Sequence, residues 1–285
     1  MIKPLTTYLF ISPALTLLTT FIVIPLFFMI RVSFLKPPEG TGFYIPETFS
    51  YINYLSIFDD YGIYIIIKTI MFALEVSFIS IMLSFGFAFF IQKSSIYWRI
   101  IFITCLLMPK IVNPLVIIFG LQRLLGNHGQ INELLMSLHI SNEPLNLIPN
   151  HLGALIGEVY LIIPFATLFI FMQINPITKE VEIAAKGLGA NYLQVFRKIT
   201  IPLCYPGLIT TWQMSMAWSL AAFNGPLFLG NPSDTTISCE IYHQTFELGN
   251  WPLAAAWSVL LSATTICFLY LPRIVNICLS KWMTK

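Results

Sequence analysis

Charge is what this chain has least of: Lys, Arg, Asp and Glu supply 10% of its 285 residues, against 57% hydrophobic. Soluble domains carry about 25% charged residues, so the shortage, with a mean hydropathy of +0.79, excludes an ordinary soluble domain and points into a membrane. Cysteine is also sparse. Cys105, Cys204, Cys239, Cys267 and Cys278 are scattered without a C-x-x-C pair, which excludes a disulfide framework and a cysteine metal site. His128, His139, His151 and His243 likewise lack ligand spacing. There is no G-x-x-x-x-G-K-[ST], so the chain is not itself a P-loop ATPase. The absence of H-E-x-x-H and G-x-S-x-G argues against an intramembrane protease or lipid transferase. Alternating strands are missing too, which leaves helices rather than a barrel as the way to satisfy backbone amides in lipid.

What is present is long apolar runs. A hydrocarbon core of about 30 Å takes roughly 20 helical residues to cross. Six runs meet that length, near Tyr8–Val32, Ile63–Ile91, Ile100–Gly120, His151–Ile174, Pro206–Leu227 and Pro252–Val275. The first follows Lys3 but exceeds the 7 to 15 residues of a signal h-region and lacks an A-x-A-like site, so it is read as a span. The fold class is therefore all-α integral membrane protein with six transmembrane helices, a single transmembrane domain over 1–285. Basic residues set the orientation. Lys3, Lys93, Arg99, Lys179, Lys186, Arg197, Lys198, Arg273, Lys281 and Lys285 fall on one side, and only Arg31, Lys36 and Arg123 on the other. Both termini are expected in the cytoplasm. This asymmetry accounts for the net charge of +2, so no nucleic-acid partner is called for.

The outer loops are short and irregular. The first, Ser33–Gly62, carries Pro37, Pro38 and Gly40 and an expected interfacial helix; the second opens an amphipathic helix at Gly129-Gln130-Ile131-Asn132. The inner segment between the fourth and fifth runs is different. Over 179–202 it mixes charge with helical apolar spacing: Val181, Ala184, Ala185 and Leu188 form one face, Gly189-Ala190 breaks it, and Tyr192, Val195, Phe196 and Ile199 form a second face before Pro202. Two short helices joined by a glycine elbow are expected, and periodicity alone also allows a helix pair lying in the headgroups.

This segment resembles the permease subunits of ATP-binding-cassette importers. Their signature is E-A-A-x-x-x-G-A, a phenylalanine and I-x-L-P, and the chain supplies Ala184, Ala185, Gly189, Ala190, Phe196, Ile199, Ile201 and Pro202. Ile183 stands where the signature has glutamate, and the acid sits one place earlier at Glu182. The resemblance implies that 179–202 is a coupling segment docking into an ATPase subunit, with Glu182, Ala184, Ala185, Gly189, Ala190, Phe196, Ile199 and Pro202 as its contact and shape residues. It further implies a bacterial inner-membrane protein working with two ATPases that carry ATP and Mg, a second permease, identical or related, and an external solute-binding protein. This chain would bind no cofactor and catalyse no reaction. Leu188 before the glycine, Ala222-Phe223-Asn224-Gly225-Pro226 and Gly249-Asn250-Trp251-Pro252-Leu253-Ala254-Ala255-Ala256 are similar to the polyamine branch, which implies a polyamine-like cation as substrate. Permeases for iron, thiamine and aminoethylphosphonate share that branch. A secondary transporter is the other class, but no inverted repeat relates the two halves.

Lys68, Glu75, Lys110 and Glu158 fall within or near the runs, where a charge on the lipid side costs about 2.5 kcal/mol or more. They are expected to face protein or water. Glu75 and Glu158 are substrate-path candidates selecting a cation; the structural alternatives are a Glu75–lysine pair and a helix tie at Glu158. Ser77, Ser80 and Ser84 mark a close-packing seam on the other side of the second run. Gln213 and Asn224, three turns apart on one face of the fifth run, are further path candidates or interhelical hydrogen bonders. Trp212, Trp218, Trp251 and Trp257 are read as packing or interface anchors rather than a cation box.

Overall fold

Uninterrupted Ile, Leu, Val and Phe leave the backbone only itself to bond with, and every regular element among the described residues is a helix. The structure, a computed structural model, describes residues 4–38, 42–175, 181, 184–185 and 187–283, and among these one isolated bridge between Lys36 and Ile45 is the only extended pairing. Helix α1 (Pro4–Leu18) passes through a π-helical turn into α2 (Ile24–Ser33), and α3 (Ile52–Ile57) precedes the long α4 (Asp60–Lys93). Then come α5 (Ile96–Leu107), α6 (Pro114–Leu125), α7 (Gln130–Ser137) and α8 (His151–Ile174). The remainder is α9 (Tyr192–Val195), α10 (Ile201–Leu220), α11 (Asn224–Leu229), α12 (Ile237–Tyr242) and α13 (Trp251–Met283).

Among the described residues, four helical stretches are long and apolar enough to cross a membrane: Ile11–Ser33, Asp60–Lys93, His151–Ile174 and Trp251–Pro272. A fifth is broken. The expected straight span Ile100–Gly120 is instead Ile96–Ile111 followed by Pro114–Ser137, bent by 101°. Pro109 and Pro114 each lack an amide hydrogen, a 3₁₀ turn fills Met108–Ile111, and the Asn113 side chain caps the new helix by accepting from Leu115 N–H. The expected fifth run, Pro206–Leu227, is also divided. Helix α10 stops at Leu220, Ala221–Phe223 leaves helical geometry, and α11 starts afresh; α10 has 20 residues but, with Gln213 and four Ser and Thr, falls below the hydropathy of the other spans.

The chain divides into two compact units. In the first, Met1–Ile65 with Ile237–Ala263, Asn53 ties the turn after α2 by donating to the carbonyls of Ser33 (2.9 Å) and Leu35 (2.8 Å). Phe34 stacks on Phe49 with centroids 5.3 Å apart, and Phe43 meets Trp251 edge-on at 5.0 Å. Tyr61 O–H donates to the buried Glu240 at 3.2 Å.

The second unit, Ile66–Thr236 with Thr264–Lys285, is built around α8, whose most apolar stretch is 56% buried against 33% for α4 and 22% for α13. Phe72 and Val76 of α4 pack with Ala154, Leu155, Val159 and Ile162 of α8, and Ala88 and Ile91 pack with Ile170, Phe171 and Ile174. The serine seam lies here: Ser77, Ser80 and Ser84 are fully buried, Ser84 donates to the Ile163 carbonyl at 3.3 Å, and Ser77 reaches Met216 of α10 at 3.6 Å. Lipid is as apolar as leucine, so helices associate in it by close packing and hydrogen bonds rather than by burial from water. Gly153 and Gly157 of α8 make that packing visible, because a Cβ at Gly157 would stand 2.7 Å from Leu229 and 3.0 Å from Ile118.

Candidate functional site

Glu158 is the centre of the polar groups that the second unit holds inside the span. It is 1% exposed, one turn along α8 from Ala154. Its Oε1 accepts the Gly225 N–H at 3.1 Å, whereas buried Oε2 has no hydrogen-bond partner among the described residues. Only glycine permits this approach: a Cβ at 225 would meet Glu158 Cγ at 2.8 Å and the Ala154 carbonyl oxygen at 2.9 Å. Glu158 and Asn224 line one pocket of about 280 Å³ with Pro114, Leu161, Trp218 and Phe223. Two of the path candidates are thus brought together.

Lys110, on the 3₁₀ turn where the third span breaks, reaches the same region. Its ammonium donates to the Leu161 carbonyl and lies 4.6 Å from the Phe165 ring centroid and 4.9 Å from that of Trp218. It is also within electrostatic reach of Glu158. Reading Trp218 only as a packing or interface anchor therefore needs correcting, since its face carries a cation.

Glu75 and Gln213 belong elsewhere. Glu75 Oε2 meets His151 Nε2 at 2.7 Å, and His151 Nδ1 meets Asp234 Oδ1 at 3.0 Å, so a histidine at the start of α8 stands where the structural alternative to a path role had a lysine. This links α4, α8 and the 3₁₀ turn Pro232–Asp234, which Asn231 and Asp234 close with a capping box. Gln213 donates to the Leu269 carbonyl at 2.5 Å, tying α10 to α13. It does not share a helical face with Asn224, because the helix ends between them.

In the coupling segment Glu182 and Lys186 lie outside the described residues. Ala184 is exposed and Ala185 buried. The Ala190 N–H returns to the Ala185 carbonyl at 3.0 Å and Gly189 takes φ +89°, the left-handed closure that ends a helix and that only glycine adopts without strain. Asn191 and Gln194 then start α9 with reciprocal bonds of 2.8 and 2.9 Å between side chain and backbone. Among the described residues, the helix end at 184–185 and 187–188, the glycine turn and the start of the second helix are present. The second face is not free, however: Val195 is 4% exposed, and Phe196 packs edge-on against Phe85 and Phe89 of α4, both at 5.9 Å. Among the described residues of the segment, the most exposed apolar groups are Leu188, 90% exposed, and Leu193, 72% exposed. Ile199 is half-buried, and Pro202 is exposed at the start of α10.

Residues 80–276 match the family described as the binding-protein-dependent transport system inner membrane component. The chain belongs to this family. It is 28% identical over 245 residues to the spermidine/putrescine transport system permease protein PotB of Escherichia coli (strain K12), covering 86% of this chain and 88% of that protein. PotB of Haemophilus influenzae is 27% identical over 240 residues, covering 84% and 83%. The putative ferric permease FbpB 1 of the same organism is 29% identical over 160 residues, 55% of this chain and 25% of that one. A solved bacterial transporter that imports the acidic polysaccharide alginate superposes with a TM-score of 0.76 over 99% of this chain and 97% of its own, at 16% identity. The permease is thus a multi-pass inner-membrane transport subunit of an ABC importer, not an enzyme; ATP is bound on partner ATPases.

Much of this arrangement left little trace in the order of residues. The Asn191-x-x-Gln194 capping box and the small-xxx-small pair Gly153 and Gly157 were signals available to a reader of the permease sequence. The His151 bridge was not, because its partners are 76 and 83 residues away.

Proposed function

We propose that the permease forms half of the membrane path for a small polyamine-like cation handed over by an external binding protein. A second permease, identical or related, completes the path, and two ATPases drive it. The observation that carries the substrate class is Glu158, a buried carboxylate with an unpartnered oxygen beside a pocket of about 280 Å³. The similarity to spermidine/putrescine permeases over 86% of the chain supports the same reading. A ferric substrate has the FbpB likeness in its favour, over 55% of the chain.

In this reading 1–285 is one transporter domain of six spans, the broken pair counting as the third and α10 as the fifth, with both termini in the cytoplasm. Leu188, Leu193 and the Gly189 elbow dock the ATPase, while Ala184, Ala185, Ala190, Ile199 and Pro202 shape the segment and Phe196 couples it to α4. The first span buries none of its most apolar stretch within the chain, which suits a helix completed by a second permease.

The test is uptake of radiolabelled putrescine into proteoliposomes holding the permeases, the ATPases and the binding protein. ATP-dependent accumulation is expected, and E158Q is expected to slow it about tenfold, the worth of one charge-assisted contact. Uptake driven by an ion gradient without ATP would overturn the importer reading, and wild-type-like kinetics in E158Q would remove Glu158 from the path.

A further inference from the structure

Lys110 is placed by the second unit against two aromatic faces and next to a buried acid. Phe165 of α8 and Trp218 of α10 lie 5.9 Å apart, inclined by 45°, and the Lys110 ammonium sits over both. The rings' negative faces attract any ammonium, most strongly where water is excluded. Trp218 is also the wall between two spaces. On one side lies the pocket holding Glu158 and Asn224; on the other a pocket of about 170 Å³ is lined by Ile162, Phe165, Ala166, Phe169, Thr211, Met214, Ser215 and Trp218.

We propose that the Phe165–Trp218 pair is a binding site for a primary ammonium group, filled by Lys110 as a built-in competitor until a cationic substrate displaces it. This rests on the reading of the permease as a cation path. The chemistry of the exchange at the rings is symmetric, one R–NH₃⁺ replacing another, so the charge held between Phe165 and Trp218 is unchanged. Lys110 can leave because of where it sits: the 3₁₀ turn Met108–Ile111 closes the helical stretch Ile96–Ile111, ends in extended backbone at Val112 and lies at the 101° break. The alternation of spaces also matches a diamine or longer polyamine. One ammonium takes the rings and the next, across a methylene run, takes Glu158 and Asn224, while the apolar pocket on the far side of Trp218 takes the further methylenes of a longer polyamine.

The experiment measures equilibrium binding of radiolabelled putrescine and of n-butylammonium to the purified, fully assembled transporter without binding protein. Putrescine uptake is recorded alongside. K110M and K110Q remove the competitor, and K110Q keeps a donor for the Leu161 carbonyl. Both are expected to bind either amine about tenfold more tightly than wild type. Adding W218L to K110Q is expected to abolish the gain, W218F to keep part of it, and n-butanol not to compete. If K110Q binds the amines no more tightly than wild type, the proposal is overturned. A K110Q transporter that does not assemble overturns it as well, because Lys110 is then a structural tie. Wild-type putrescine uptake with unchanged K110Q affinity defeats this inference alone. Tighter amine binding by K110Q without polyamine uptake by any form defeats the polyamine reading and leaves the ammonium site standing.

Discussion

At the scale of single residues, the site depends on what is left out as much as on what is present. Gly225 has no side chain, and for that reason its N–H reaches Glu158 at 3.1 Å. G225V is expected to push α11 away from α8 and to destabilise the permease by about 1 to 3 kcal/mol, the usual cost of overpacking. Thermal unfolding of the detergent-solubilised protein measures this, and an unchanged melting temperature would show that the two helices part without cost. Glu158 and Lys110 were recognisable in the sequence as charges that lipid would not tolerate. Their partners were not: a glycine amide 67 residues away and a pair of rings 55 and 108 residues away carry no local signature.

At the scale of elements, hydropathy located the helices better than it located their breaks. The run His151–Ile174 is one straightforward helix with the expected bounds. Ile100–Gly120 and Pro206–Leu227 were as apolar in outline, yet M-P-K-I-V-N-P and A-A-F-N-G-P interrupt them with prolines and caps, and both turned. A window average is blind to one missing amide hydrogen, whereas a helix is not. The elbow at Gly189 was legible because its signals are local: a glycine where φ is +89° and, directly after it, an Asn-x-x-Gln box. N191A is expected to weaken the start of α9 by about 1 kcal/mol, as cap removal does. Faster amide exchange over residues 192–195 checks this, and unchanged exchange would mean that packing of Val195 and Phe196 holds the turn without its cap.

At the scale of the whole molecule, the permease is one part of an importer, and the proposed docking role of its exposed Leu188 and Leu193 is tested there. L188D is expected to leave the melting temperature unchanged and to abolish co-purification with the ATPase. F196D is expected to lower the melting temperature first, since Phe196 is seated on Phe85 and Phe89 of its own α4. Equal melting of the two variants would erase that distinction. A solved transporter that imports an acidic polysaccharide superposes along 99% of the chain, so the fold by itself does not name the cargo. Composition, apolar run length and the 184–202 motif determined, without any structure, that this is a helical permease, because each depends on neighbours along the chain. The tertiary structure decided which intramembrane charges meet, that Glu75 serves His151 while Glu158 faces a pocket, and that Trp218 carries a cation. Those outcomes depend on residues far apart in sequence, whose distances are set by helix packing against α8.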